Sequence, residues 1–244
     1  MAGWREIKDS PERNGAIRVP RDATVSASAV TMQKGGGLAS FLMAVAFIVP
    51  QWIYLTGKLR DASGPLVYAL ADSLYGPVWA ASLVAAVFAL RERIGARAPR
   101  RLTLALVAAL VAAGAFVGVA CMRSANRQYL LMHPELSDGL STTLLTAWST
   151  IVTGVIATGW HVLGWTLVLV GSAGWASRRL PRGLSVLYLA AGAGSLFVYV
   201  LPDMEGSVVA LGVVVSIWQG IVLWKAEPGE TQVPEIHISQ PDQA

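Results

Sequence analysis

RERIGARAPRRLTLALVAALVAAGAFVGVACMRSANR, residues 91–127, decides the fold. Residues 102–122 carry no formal charge. As a helix they extend about 31 Å, enough to cross the hydrocarbon core of a bilayer. The flanks are unequal: Arg91, Arg93, Arg97, Arg100 and Arg101 precede the run, and only Arg123 and Arg127 follow it. Arginine and lysine collect on the cytoplasmic side of membrane helices, so this span is expected to start inside and end outside.

The same reading extends to the whole chain. Hydrophobic residues make up 54% of the 244 and charged residues 14%, with mean hydropathy +0.53. Soluble domains carry about 25% charged residues, so the composition is that of a membrane protein. Apolar runs place spans at 38–57, 65–90, 102–122, 151–176, 183–201 and 206–224. Fifteen of the 19 Lys and Arg fall in the N-terminal tail, the second and fourth gaps and the C-terminal tail; four fall in the other gaps. An all-α bundle of six spans with both termini cytoplasmic follows, in a bacterial inner membrane. With the charges explained as topology signals, the pI near 9.5 gives no reason to invoke nucleic acid. Cys121 is the sole cysteine, which excludes an intrachain disulfide. No apolar run lies near Met1, so the first span is expected to be an uncleaved anchor.

Residues 1–37 read as a polar basic tail, 38–224 as the transmembrane domain and 225–244 as a disordered tail rich in Pro, Glu and Gln. Gly35–Gly37 reads as a hinge, since no Lys-Ser/Thr pair follows it as a phosphate loop requires. Ser141 to Trp175 is uncharged over 35 residues, too long for one upright span. Residues 141–149 are therefore expected to lie along the outer interface on Leu144, Leu145 and Trp148. Residues 122–139 form the longest polar connection and are a candidate contact loop. Gly154, Thr158, Gly159 and Gly164, with Gly192 and Gly194, suit close packing in lipid. They place the fourth and fifth spans inside the bundle, while the third reads as lipid-facing. The nine tryptophans read mainly as interfacial anchors. Pro99-Arg100-Arg101-Leu102 and Pro181-Arg182-Gly183-Leu184 echo each other, which ordinary helix-start chemistry explains.

Ionisable groups within a span are costly and mark candidate sites. Here they are Asp72 and His161. Counted from the basic ends of their helices, both lie roughly 25–28 Å along, near the outer surface. Tyr75, Tyr199, Gln51 and Tyr54 fall in the same layer, with Asp203, Glu205, Tyr129 and His133 just above. A carboxylate near an imidazole among tyrosines could bind a cation or a polar headgroup, or move protons. The bland alternative is a hydrated Asp72 and a His161 bonded to a neighbouring helix. The histidines do not converge, so no metal or haem site is expected, and no cofactor.

At Gly159-Trp160-His161-Val162-Leu163-Gly164, Gly171, Leu180-Pro181-Arg182-Gly183-Leu184 and Gly192, the chain resembles a family of small bacterial membrane proteins with six or seven helices. The resemblance covers about 159–225. It implies the topology, singles out His161, Pro181 and Arg182, and transfers no reaction. A second likeness, to small integral-membrane terpene cyclases, is one of length and helix number without a motif.

The expectation is a non-enzymatic binding or regulatory protein with an outward polar layer. Its partners would be membrane lipid and a small molecule or second membrane protein. The alternatives are an embedded enzyme for a lipid or prenyl-type substrate, with Asp72 as acid or base, and a small transporter subunit.

Overall fold

A computed structural model describes residues 21–60, 65–95, 97–133 and 141–225. All the regular structure among these residues is helical: α1 (Arg21–Arg60), α2 (Pro65–Ser73), a π-helical segment (Leu74–Val78), α3 (Trp79–Ile94), α4 (Pro99–Met132), α5 (Ser141–Ser177), α6 (Arg182–Phe197) and, after a short 3₁₀ turn (Pro202–Met204), α7 (Glu205–Trp224). Backbone groups have no water to bond to in a bilayer, so a spanning segment must satisfy them internally. Five stretches among the described residues are long and apolar enough to cross a membrane: Val30–Ile53, Leu66–Ile94, Pro99–Leu130, Thr146–Ser177 and Glu205–Trp224. The shorter α6, 16 residues or about 24 Å, packs against α5 and α7.

The helices close into a ring. α1 packs against α3 and α7, α3 against α4, α4 against α5, α5 against α6, and α6 against α7. Glycines set the tightest approaches. A Cβ on Gly164 would stand 2.9 Å from the Gly192 carbonyl oxygen, and one on Gly192 the same distance from the Gly164 oxygen. Only a pair lacking side chains lets α5 and α6 cross this closely. Gly171 extends the contact, since a Cβ there would stand 3.0 Å from the Ser185 oxygen. Gly154, by contrast, faces open space.

The arginine-rich end is sealed. Leu90, Ile94, Leu102, Leu180, Leu184 and Leu223 are buried there. Three arginines reach across to carbonyls of neighbouring helices. Arg93 Nη1 donates to Val222 O (2.9 Å), Arg97 Nη1 to Ser177 O (3.0 Å) and Arg101 Nη1 to Ser172 O (3.2 Å). Val222 and Ser177 lie in the last turns of α7 and α5, where carbonyls lack helical partners and the dipole favours cations. Arg178 adopts φ 56°, and its N–H donates to Gly174 O at 3.1 Å. It thus ends α5 in the left-handed cap that usually takes glycine.

Several expectations are corrected. Gly35–Gly37 is no hinge, because α1 runs through it unbroken. Gly36 and Gly37 are contact positions: a Cβ on Gly36 would strike Ala89 of α3, and one on Gly37 would approach Gly220 O of α7 at 3.2 Å. Residues 141–149 do not form a separate interfacial helix. They begin the 37-residue α5, which has no proline and no glycine before Gly154 to interrupt its hydrogen bonds. The connection after Met122 is helical as far as Met132. The span in α4 does not simply face lipid. Leu104, Val107 and Val111 are exposed on one side, while Ala105, Ala109, Ala112, Phe116 and Val119 are buried at helical spacing on the other. Trp79 and Trp160 are not interfacial; they sit in the core at 1% and 2% exposure. The tails at 1–20 and 226–244, including the disorder expected of the latter, lie outside the described residues.

Candidate functional site

At the end opposite Arg93, Arg97 and Arg101 the ring opens into a cleft of about 1110 Å³, somewhat larger than a typical drug-sized pocket. Its wall is mostly apolar, supplied by Phe47, Ile48 and Pro50 of α1, Ile156 of α5 and Val209 and Val213 of α7, among others. Gln51, Tyr75, Arg123 and Glu205 provide its polar groups.

Local sequence chemistry places each of these. Pro77 lacks an N–H and breaks the α-helical register, and the Trp79 N–H then reaches Leu74 O, five residues back. Such π-helical insertions recur at functional sites, and this one buries Tyr75 and Gly76. With no side chain, Gly76 lets α4 approach closely; a Cβ there would strike Ala120 and lie 3.3 Å from Phe116 O. Arg123, one turn beyond Ala120, is thereby brought to the cleft. Glu205 is the first residue of α7, where the helix dipole favours an acid.

The cleft ends on aromatic rings. Phe47 lies 5.1 Å from Trp79 and is parallel to Trp160 at 6.3 Å. Phe116 meets both indoles edge-on, at 4.7 and 5.7 Å, and Tyr75 at 5.4 Å. Such pairs add about 0.5–1.5 kcal/mol each beyond their burial.

The residues singled out in the sequence do not gather at one site. Gln51, Tyr75 and Glu205 share the cleft. Asp72, 1% exposed, accepts a hydrogen bond from Arg127 Nη2 in a 3.0 Å ion pair. The Arg127 guanidinium also lies over the Tyr68 ring, 5.2 Å from its centroid. Asp72 is therefore buried beside a cation rather than hydrated. His161 accepts from Trp165 Nε1 at 3.3 Å, within its own helix, and meets the Tyr199 ring at 5.9 Å. Neither Asp72 nor His161 lines the cleft. Tyr129 packs on His133 at 4.6 Å, Asp203 is exposed, and the Tyr54 side chain lies outside the described residues. Arg123 and Arg127 were missed as site residues because they follow the apolar run and read as loop. Their i, i+4 spacing was the available signal, since it puts both on one face of a continuing helix. Among the described residues no trio of His, Cys, Asp or Glu gathers as metal ligands would.

No protein-family model, curated protein or solved structure matches this chain.

Proposed function

We propose that this is a non-enzymatic membrane protein whose cleft binds an amphipathic molecule, a zwitterionic phospholipid, from the outer side of a bacterial inner membrane. In this reading the arginine-rich end is cytoplasmic, both termini lie inside, and α6 makes the sixth crossing. The concentration of Arg and Lys at one end supports that orientation.

The observation that carries the binding reading is the composition of the cleft. Its wall is mostly apolar, and it bears one cation, Arg123, and one anion, Glu205. Arginine suits phosphate through its planar fork of donors, a carboxylate suits an ammonium, and the apolar wall suits acyl chains. An embedded-enzyme reading has less support: Asp72 is held by Arg127 and lies away from the cleft. A small transporter is the second reading, favoured by the polar side chains of Ser195, Ser216 and Gln219 buried between the helices, with Tyr188 of α6 donating to Gln219 of α7.

Native mass spectrometry of the full chain, purified with phosphatidylethanolamine and with diacylglycerol, tests the proposal. The protein is expected to retain phosphatidylethanolamine in preference to diacylglycerol, and Arg123→Ala with Glu205→Gln is expected to remove that preference. Equal retention of the two lipids by the native chain, or an unchanged preference in the double variant, would refute it.

A further inference from the structure

At the leucine-sealed end, the turn between α3 and α4 lies beside the turn between α5 and α6. Arg97, in the first of these turns, donates to the Ser177 carbonyl at 3.0 Å, and the residue after Ser177 is Arg178. Arg101 ties the start of α4 to α5 through Ser172 O. Arginines from two distant parts of the chain are thereby gathered into one group: Arg97, Arg100 and Arg101 with Arg178 and Arg182.

The group is exposed and its charge is uncompensated. All five of these residues are exposed, and none of them forms an ion pair among the described residues. α4, α5, α6 and the turn at 178–181 contain no acidic residue, and the nearest acid in sequence is Glu92 on α3. A guanidinium carries five N–H donors, and Arg97 and Arg101 each spend one on a carbonyl. Like charges held this close repel one another, so the arrangement favours an anion that bridges them. The backbone contributes the same sign. α4 and α6 both begin here, with no acid in the first turn and no side-chain cap, and their leading N–H groups and dipoles favour phosphate.

Apolar surface adjoins the charge on all three helices. Leu104, Trp175 and Val186 are exposed, each one helical turn along from Arg101, Arg178 and Arg182. A tryptophan in that position suits the headgroup layer of a bilayer, and the aliphatic side chains suit acyl chains. The ligand that fits both parts is a lipid and not a soluble anion.

We infer that these paired basic turns are a binding site for a phospholipid with two phosphates, of the cardiolipin class. Its phosphates accept from the arginines and its chains lie along Leu104, Trp175 and Val186. Arginines on both turns and two helix starts favour two phosphates over one, and basic pockets between membrane helices take such headgroups. The site is at the opposite end from the cleft and does not depend on what the cleft binds.

The test is native mass spectrometry of the full chain in micelles with equal amounts of cardiolipin and phosphatidylethanolamine. The chain is expected to retain cardiolipin in preference. Arg100→Gln with Arg178→Gln, one from each turn, is expected to weaken cardiolipin binding about tenfold. These two side chains hold no neighbouring helix, so the melting temperature should stay native. Arg100→Lys with Arg178→Lys, which keeps the charge and loses the planar fork, is expected to lose less. Lys34→Gln with Lys225→Gln removes as much charge from α1 and the end of α7, and is expected to leave binding within about twofold. Equal retention of the two lipids by the native chain would overturn the site. An equal loss in the Lys34 and Lys225 pair would overturn its placement at the two turns. Displacement of cardiolipin by excess inorganic pyrophosphate would overturn the lipid in favour of a soluble diphosphate.

Discussion

Arg127→Ala is expected to lower stability by about 3 kcal/mol, toward the lower end of the range for breaking a buried ion pair. Asp72 is almost wholly buried, so removing Arg127 takes away the cation paired with its carboxylate in a low-dielectric core. Arg127 is 25% exposed, so some water reaches the pair and moderates the loss. Asp72→Asn should cost less, because the remaining guanidinium can turn toward the interface. The double variant should recover much of the loss in Arg127→Ala, since it leaves no unpaired charge. Thermal unfolding in detergent, read as a double-mutant cycle, measures the coupling. A cycle in which the two losses simply add would contradict this assignment of Asp72.

Gly164→Leu is expected to prevent formation of the α5–α6 interface. Even Gly164→Ala should cost about 1–3 kcal/mol, the usual range for overpacking. A Cβ there would meet the Leu196 side chain at 2.8 Å and the Gly192 backbone carbonyl at 2.9 Å, and the carbonyl cannot rotate aside as a flexible side chain can. The helices must therefore separate along their length, which also loosens the Gly171 contact. Gly154→Leu is the control, because no atom stands within 4 Å of a Cβ there. Size-exclusion profiles and melting temperatures should show loss of folded protein for Gly164→Leu and a native profile for Gly154→Leu. Equal tolerance of both would remove the glycine contact as an organising feature.

The helical class and the long apolar segments were legible because a bilayer admits few backbone solutions, and hydropathy reports that constraint directly. Gly164 and Gly192 were legible as contact positions for the same reason. Gly36 and Gly37 were misread, because a glycine chosen for close approach and one chosen for flexibility look alike until the partner helix is known. Trp79 and Trp160 were missed similarly: hydropathy cannot separate a tryptophan at the interface from one in an aromatic core. Gln51 and Tyr75 were placed in one layer by counting residues along helices, and they do share a wall. The same count put Asp72 beside them, yet depth says nothing of the direction a side chain takes around its helix. Its partner Arg127 became visible only once α4 was seen to continue past its apolar run.

Which end of the bundle is open, and to which side of the membrane, decides whether the cleft can take lipid from the outer face. In a Cys121→Ser background, Val213→Cys would report from the cleft and Leu223→Cys from the sealed end, probed with a membrane-impermeant thiol reagent on vesicles of each orientation. Position 213 is expected to react only from the non-cytoplasmic face, and position 223 to stay unreactive from both. Modification of position 213 from the cytoplasmic face, or of position 223 as fast as 213, would contradict the proposed orientation and the sealed end.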